Sequence, residues 1–431
     1  MDSQLTGRGR DDDRKDPYGG VTMAESTTTF ADNMRLPVHR WFRYSAGFSA
    51  QWAQSVIRET GSRRVLDPFG GSGTTVIAAE QSGVHGLATD VHPFVVRVAQ
   101  AKLKWRLDPQ RLRGAGSAVS AEARAAGPPT PPTSPLIEKC FPDQAALGSL
   151  LRLRDAVSAQ CDPEGYSDLL WLAFVSIIRA CSPAGTAQWQ YVLPNKTKTR
   201  VAEPFAAFQA RLDLFCDDMR DMQARHVNAP HGTVLESDAR TLEGVGDGWA
   251  DLILTSPPYA NNYDYADATR LEQTLLGEVD GWGSLQPLRR KLLKSATQNV
   301  AKWDSSEALD SPLLDPIRDE LLLVVEQLAS VKQTKGGKKA YDAMVAGYFH
   351  DSAQNWEALR RAAAPGAKVC FVVGDSAPYG VHVPVEKWLG ELAPASGFKR
   401  WSFEKVRDRN TKWKNRKHDH PLHEGRLLVD G

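Results

Sequence analysis

Arg64-Val-Leu-Asp-Pro-Phe-Gly-Gly-Ser-Gly-Thr-Thr-Val-Ile-Ala-Ala-Glu-Gln81 decides the fold. Arg64 to Phe69 reads as a short buried strand, Gly70 to Gly73 as a tight turn, and Thr74 to Gln81 as a helix that Gly83 ends. Gly86-Leu-Ala-Thr-Asp90 is a second short strand, and His92 to about Leu107 a second helix. Strand, turn, helix, strand, helix is the opening of a doubly wound α/β sheet.

The glycines between strand and helix let the backbone approach a ligand closely, and the helix N-terminus offers free N–H groups. No lysine follows them, which disfavours a phosphate-cradling loop. Asp90 ends the next strand, where an acid can grip a ribose diol. A second constellation follows the apolar strand Ala250 to Thr255: Thr255-Ser-Pro-Pro-Tyr259. Two consecutive prolines make a stiff elbow without N–H donors, so carbonyls can face a pocket. Ser256 adds a hydroxyl and Tyr259 a flat ring. Together they form a cradle for an amino group carried on an aromatic base.

Composition narrows the class. The chain has 431 residues, of which 42% are hydrophobic and 24% charged, as in globular proteins. A net charge of +1 provides no global attraction to nucleic acid, so local patches must hold any polyanion. Five scattered cysteines without C-x-x-C spacing, and ten histidines without ligand spacing, predict no metal site and buried free thiols. The longest apolar stretch, Leu169 to Ile178, is too short to span a membrane. The N-terminus has no signal-peptide pattern. The expectation is a soluble, cytoplasmic protein without membrane contact.

Outward from the two motifs, residues 1–33 read as a disordered tail. Residues 34–107 form the first part of the core and 229–267 its middle, with Gly232 to Leu235 and Ala250 to Thr255 as strands. Residues 341–431 close the core, with a helix over Tyr341 to Ala364, a strand at Lys368 to Val373, a helix from Pro384, and closing strands near Phe398 to Val406 and Arg426 to Val429. Residues 108–228 and 268–340 read as two mainly helical insertions, the first opening on a proline-rich linker at 126–135.

Asp67-Pro-Phe-Gly-Gly-Ser-Gly-Thr-Thr75 paired with Thr255-Ser-Pro-Pro-Tyr259 resembles the amino-methylating DNA methyltransferases, the N4-cytosine and N6-adenine group. Serine before the two prolines resembles the N4-cytosine branch, since adenine enzymes more often carry Asp or Asn there. Gly47-Phe48-Ser49 looks like the family segment that packs on the methionine end of the cofactor. Glu236-Ser-Asp238-Ala-Arg240 resembles the segment that reads its adenine through an acid. Tyr348-Phe349, Pro365-Gly366, Val373-Gly374-Asp375-Ser376 and His423-Glu424 are similar to later family segments.

The resemblance implies a Rossmann-like sheet that binds S-adenosyl-L-methionine through Phe48, Ser49, Asp67, Pro68, Phe69, Gly70, Gly71, Gly73, Thr74, Asp90 and Asp238. Ser256, Pro257, Pro258 and Tyr259 would be catalytic. It implies direct methyl transfer to cytosine N4 in double-stranded DNA after base flipping, with Tyr259 stacked on the base, and a restriction endonuclease or another defence protein as a partner. N6-adenine or RNA amino-methylation, a small-molecule methyltransferase, and a non-catalytic cofactor- or nucleic-acid-binding regulator are the alternatives.

For the DNA face, residues 399–417 carry nine Lys or Arg against two acids, interleaved with Trp401, Phe403 and Trp413. Arg289, Arg290, Lys291 and Lys294 read as a solvated helix face, and Lys332 to Lys339 as a flexible tether. Tyr263 and Tyr265 could line a base pocket. Asp90 and Asp238 lie 148 residues apart. That spacing exceeds the family's usual few tens of residues and makes 108–228 an insertion that, like 268–340, could recognise the target.

Overall fold

In a computed structural model of the chain, residues 30–44, 47–185, 197–260, 264–300, 303–337, 339–409 and 420–431 are described. The tail to residue 29, residues 195–196 of the basic loop, Tyr263, Lys338 and residues 410–417 with Trp413 lie outside them.

Seven strands, β1 (Arg64–Asp67), β2 (His85–Asp90), β3 (Thr233–Glu236), β4 (Ala250–Thr255), β5 (Ala363–Gly374), β6 (Arg400–Arg409) and β7 (Leu422–Asp430), form one sheet in the order β3-β2-β1-β4-β5-β7-β6. The first five run parallel, and β7 lies antiparallel to both β5 and β6. This is the Rossmann-like α/β sheet expected from the sequence. The chain moves outward from β1 to β2 and β3, then returns to β1's other side as β4. The carboxyl ends of β1 and β4 therefore border the switch-point crevice where open α/β sheets bind ligands. The glycine turn follows β1, and Ser256 follows β4.

Helices α1 (Ala50–Thr60), α2 (Thr74–Gln81) and α3 (Pro93–Lys102) belong to the first half of the core. Helices α4 (Pro109–Ala125), α5 (Pro135–Cys140), α6 (Gln144–Ser158), α7 (Tyr166–Ile177) and α8 (Pro204–His226) lie between α3 and β3. Between β4 and β5 come α9 (Arg270–Leu276), α10 (Gln286–Lys291), α11 (Ser306–Leu309), α12 (Arg318–Thr334) and α13 (Tyr341–Ala362), and α14 (Val385–Ala395) precedes β6.

Strand alternation covers both sheet faces. Val65, Leu252, Leu254, Cys370 and Val372 pack with Trp52, Val56 and Ile57 of α1. Leu66, Ile253, Val369, Phe371 and Val373 pack with Trp356 and Leu359 of α13 and Trp388 of α14. The helices between β2 and β3 share a core with α3 and the 38–44 segment. The apolar stretch from Leu169 is buried in α7, and no helix among the described residues is long and apolar enough to cross a membrane.

Several expectations change. The helix from His92 ends at Lys102 and continues to Arg106 as a 3-10 turn. Pro109 then starts α4 under an Asp108 cap. Strand β5 begins at Ala363, because Ala363 already pairs with Ala250 ahead of a register shift. Pro384 caps α14 rather than opening it. Lys332 sits in the last turn of α12, paired with Asp342 at 3.1 Å, so it is no free tether. Trp401 and Phe403 are half-buried against the α13–α14 layer. Four cysteines are buried, but Cys161 is exposed.

Candidate active site

A cleft enclosing about 780 Å³, part of it open to solvent, lies at the switch point. Of the residues singled out from sequence, Phe48, Asp67, Pro68, Phe69, Gly70, Gly71, Thr74, Asp90, Asp238, Ser256 and Pro258 line it. Ser49, Gly73, Pro257 and Tyr259 do not line it. Ser49 instead caps α1, its hydroxyl accepting from Trp52 N at 3.3 Å, and Gly73 opens α2 at φ +85°.

Turn and sheet meet too closely for side chains: a Cβ on Gly70 would lie 2.6 Å from that of Ala88, and one on Gly71 would lie 3.2 Å from the Tyr44 ring. Asp67 holds this corner together. Its carboxylate accepts from Phe69 N at 3.0 Å, Thr75 Oγ1 at 2.5 Å and Thr255 Oγ1 at 2.6 Å, locking the end of β1 to the end of β4. Burial pushes its pKa up to about 6 against those three hydrogen bonds. Asp90 is held by backbone alone: Gly71 N donates to one oxygen at 3.0 Å and His92 N to the other at 2.9 Å, with Val91 N also directed at the carboxylate. Of four lone-pair sites this leaves acceptor capacity for a ligand. Burial raises Asp90 to about 6 as well. Beside it, burial lowers His92 to about 4 and keeps the imidazole neutral, with Nε2 3.0 Å from Thr269 Oγ1.

Asp238 reaches the cleft with its carboxylate already paired to Arg240, 2.6 Å from Nη2 and 3.0 Å from Nε. Arg240 in turn meets buried Asp351 at 3.3 Å. On the β4 side, Ser256 Oγ donates to Val372 O at 3.1 Å and also hydrogen-bonds the Tyr259 hydroxyl. With its proton directed at the carbonyl, Ser256 Oγ keeps acceptor capacity. Burial, with Glu424 nearby, raises the Tyr259 pKa.

Sequence reading missed several lining residues. Tyr44, Val91, His92, Leu292 and Leu293 reach the cleft, while Tyr265, named from sequence as a pocket candidate, and Lys291 of the basic cluster line it too. Tyr44 arrives because the 38–41 segment is tied to α8: Asp218 accepts from Val38 N at 3.0 Å, Arg40 Nε at 3.1 Å and Trp41 Nε1 at 2.9 Å. No local pattern announces a bond across 180 residues. The basic cluster is not one solvated face. Arg289 is buried against Asp264 at 2.6 Å, and Lys294 is paired with buried Asp351 at 2.7 Å, leaving Arg290 and Lys291 exposed.

Over 434 aligned residues the chain is 24% identical to the Type II methyltransferase M.BsoBI of Geobacillus stearothermophilus, an alignment covering 88% of this chain and 82% of that protein. It is 23% identical, over the same shares, to the Type II methyltransferase M.AvaI of Nostoc sp. (strain PCC 7120 / SAG 25.82 / UTEX 2576) and of Anabaena variabilis. No family model matches. The chain is thus similar to Type II methyltransferases over most of its length.

The donor set of the cleft is informative: Asp238 is paired to Arg240 and Asp67 is engaged by its own chain, which leaves Asp90 as the ligand-facing acid. Such a lining suits a cationic ligand bearing hydroxyls, as S-adenosyl-L-methionine is, and opposes a polyphosphate. Phe48, Phe69, Leu292 and Leu293 supply apolar surface for its ring and chain. Apart from the cleft, Asp375, Glu386 and His423 place ligand atoms within 4.8 Å of one another. Each ring nitrogen of His423 already faces a carboxylate at 3.3 Å.

Proposed function

We propose that the protein uses S-adenosyl-L-methionine to methylate the exocyclic amino nitrogen of a base in double-stranded DNA, cytosine N4 being the acceptor. One observation carries this reading: the Ser256–Pro258 elbow and the Asp90–glycine turn line the same cleft. A cofactor gripped at the turn and an amino group held at the elbow would face each other. Similarity to Type II methyltransferases over 88% of the chain supports the reaction class.

The residues would act as follows. Asp90 accepts the ribose hydroxyls, Phe48 and Phe69 pack on the cofactor, and the bound cofactor supplies an electrophilic methyl group. Ser256 Oγ and the Pro257 carbonyl accept hydrogen bonds from the base's amino group. That pairing would favour a tetrahedral nitrogen, whose lone pair would leave conjugation with the ring and form the N–C bond in line as the methyl's bond to the sulfonium sulfur breaks, the sulfur keeping that electron pair as S-adenosylhomocysteine leaves. Positioning supplies much of the rate. The proton then leaves the nitrogen to solvent, and no covalent enzyme intermediate is needed. A paired base cannot reach this depth, so it is flipped out. Ser256, where adenine enzymes of the resembling family more often carry an acid or amide, supports cytosine. A restriction endonuclease partner belongs to the same proposal.

The test is to incubate unmethylated DNA, and separately RNA, with protein and cofactor and to analyse the nucleosides by mass spectrometry. N4-methylcytosine from DNA is the expected product. N6-methyladenine would overturn the choice of base, a product in RNA alone would overturn the substrate, and none in either would favour a non-catalytic regulator.

A further inference from the structure

Arg409 ends β6 at the same sheet edge as the elbow, and its guanidinium lies over the Tyr259 ring with Cζ 5.0 Å from the centroid. Its Nη1 donates to the Asp375 carbonyl at 2.9 Å. The guanidinium also lies close over Gly374, where a Cβ would come 2.7 Å from Arg409 Nη1. A guanidinium is planar, stacks on aromatic faces and presents N–H donors in its plane. An amino-bearing nucleobase has the same three properties. The Tyr259 ring, which would stack on the acceptor base, is therefore already covered by a group of matching shape and donor pattern.

We propose that Arg409 is a place-holder: its guanidinium covers the Tyr259 face in the free protein, and the flipped base displaces it and stacks on that face. This rests on the amino-methylation reading and adds to it a pocket wall and a residue that must move. Displacement breaks one hydrogen bond and one stacking contact. No ion pair of Arg409 exists among the described residues, whereas neighbouring Arg407 is held by Glu424 at 2.8 Å. The plug keeps water off the Tyr259 face until a base arrives, and its cost is a reduced population of base-ready protein.

The experiment titrates deoxycytidine and deoxyadenosine by NMR into the full-length protein, saturated with S-adenosylhomocysteine so that the cofactor cleft is filled. Arg409→Ala and Arg409→Met are compared with the parent, the methionine keeping the stem should the alanine variant fold poorly. With the plug gone the open pocket is no longer a minor population, and nucleoside affinity rises by about tenfold. Adding Tyr259→Ala to Arg409→Met abolishes the gain. Equal affinity with and without the guanidinium, or a gain that survives Tyr259→Ala, overturns the place-holder. Methylation of DNA by the parent is scored separately. A parent that methylates beside Arg409 variants that bind nucleosides no better sinks this inference alone. A parent that methylates nothing beside variants that do bind sinks the reaction and leaves a nucleobase pocket.

Discussion

Asp67 and Asp90 end neighbouring strands, yet their hydrogen bonds separate them into a strut and a ligand-facing acid. Asp67 accepts from two buried hydroxyls and a backbone N–H and ties β1 to β4, whereas Asp90 accepts only backbone N–H groups of the turn and the following residues and lines the cleft. Asp90→Ala should weaken cofactor binding by about tenfold or more, the worth of one or two hydrogen bonds to a charged acceptor, measured by calorimetry. Asp90 titrates near 6, raised by burial, and accepts best when ionised. The parent's cofactor affinity should therefore hold above that pH and fall as the pH drops through about 6. A flat profile from pH 5 to 8 would argue against Asp90 as the diol acceptor. Ser256→Ala removes the elbow's acceptor and should slow transfer by about one or more orders of magnitude while cofactor affinity is kept. Full activity would dismiss the elbow mechanism.

At the scale of elements, the cleft depends on ties between segments distant in sequence. Asp218 on α8 binds the backbone and side chains of residues 38–41, and Tyr44 follows directly. Asp218→Ala leaves these donors unmatched and should cost about 3 kcal/mol in urea unfolding, with weaker cofactor binding as Tyr44 loosens. Lys102, at the end of α3, is buried and donates to the carbonyls of His39 at 3.2 Å and Ser72 at 3.1 Å. Burial lowers its pKa to about 7. Since the unfolded chain holds that proton up to about 10.5, it binds more protons than the native state between those values, and stability should rise as pH climbs from 7 toward 10. Lys102→Met should flatten that part of the stability profile. An unchanged slope would mean that Lys102 titrates normally.

For the whole molecule, a net charge of +1 means that the DNA of the proposed reaction would have to be held by local cations. Arg290 and Lys291 are exposed at the end of α10, and Lys291 reaches the cleft. Replacing both by Gln should lower the slope of log affinity against log salt by about two, close to one counterion per phosphate contact. An unchanged slope would place the DNA elsewhere.

The sequence alone determined the sheet, because the alternation of short apolar strands and helices is a local pattern: Arg64 to Gln81 and Ala250 to Thr255 declare their elements without help. It also marked the glycine turn, Asp90 and Ser256, since each sits at a strand's carboxyl end, where the doubly wound topology sends ligands. Only the tertiary structure decided that Asp67 is a strut, that Arg289 is buried against Asp264, that Tyr44 reaches the cleft and that Arg409 covers Tyr259. Those outcomes depend on contacts across tens to hundreds of residues, as between Val38 and Asp218. Local composition reports a side chain's chemistry but not the partner that folding places against it.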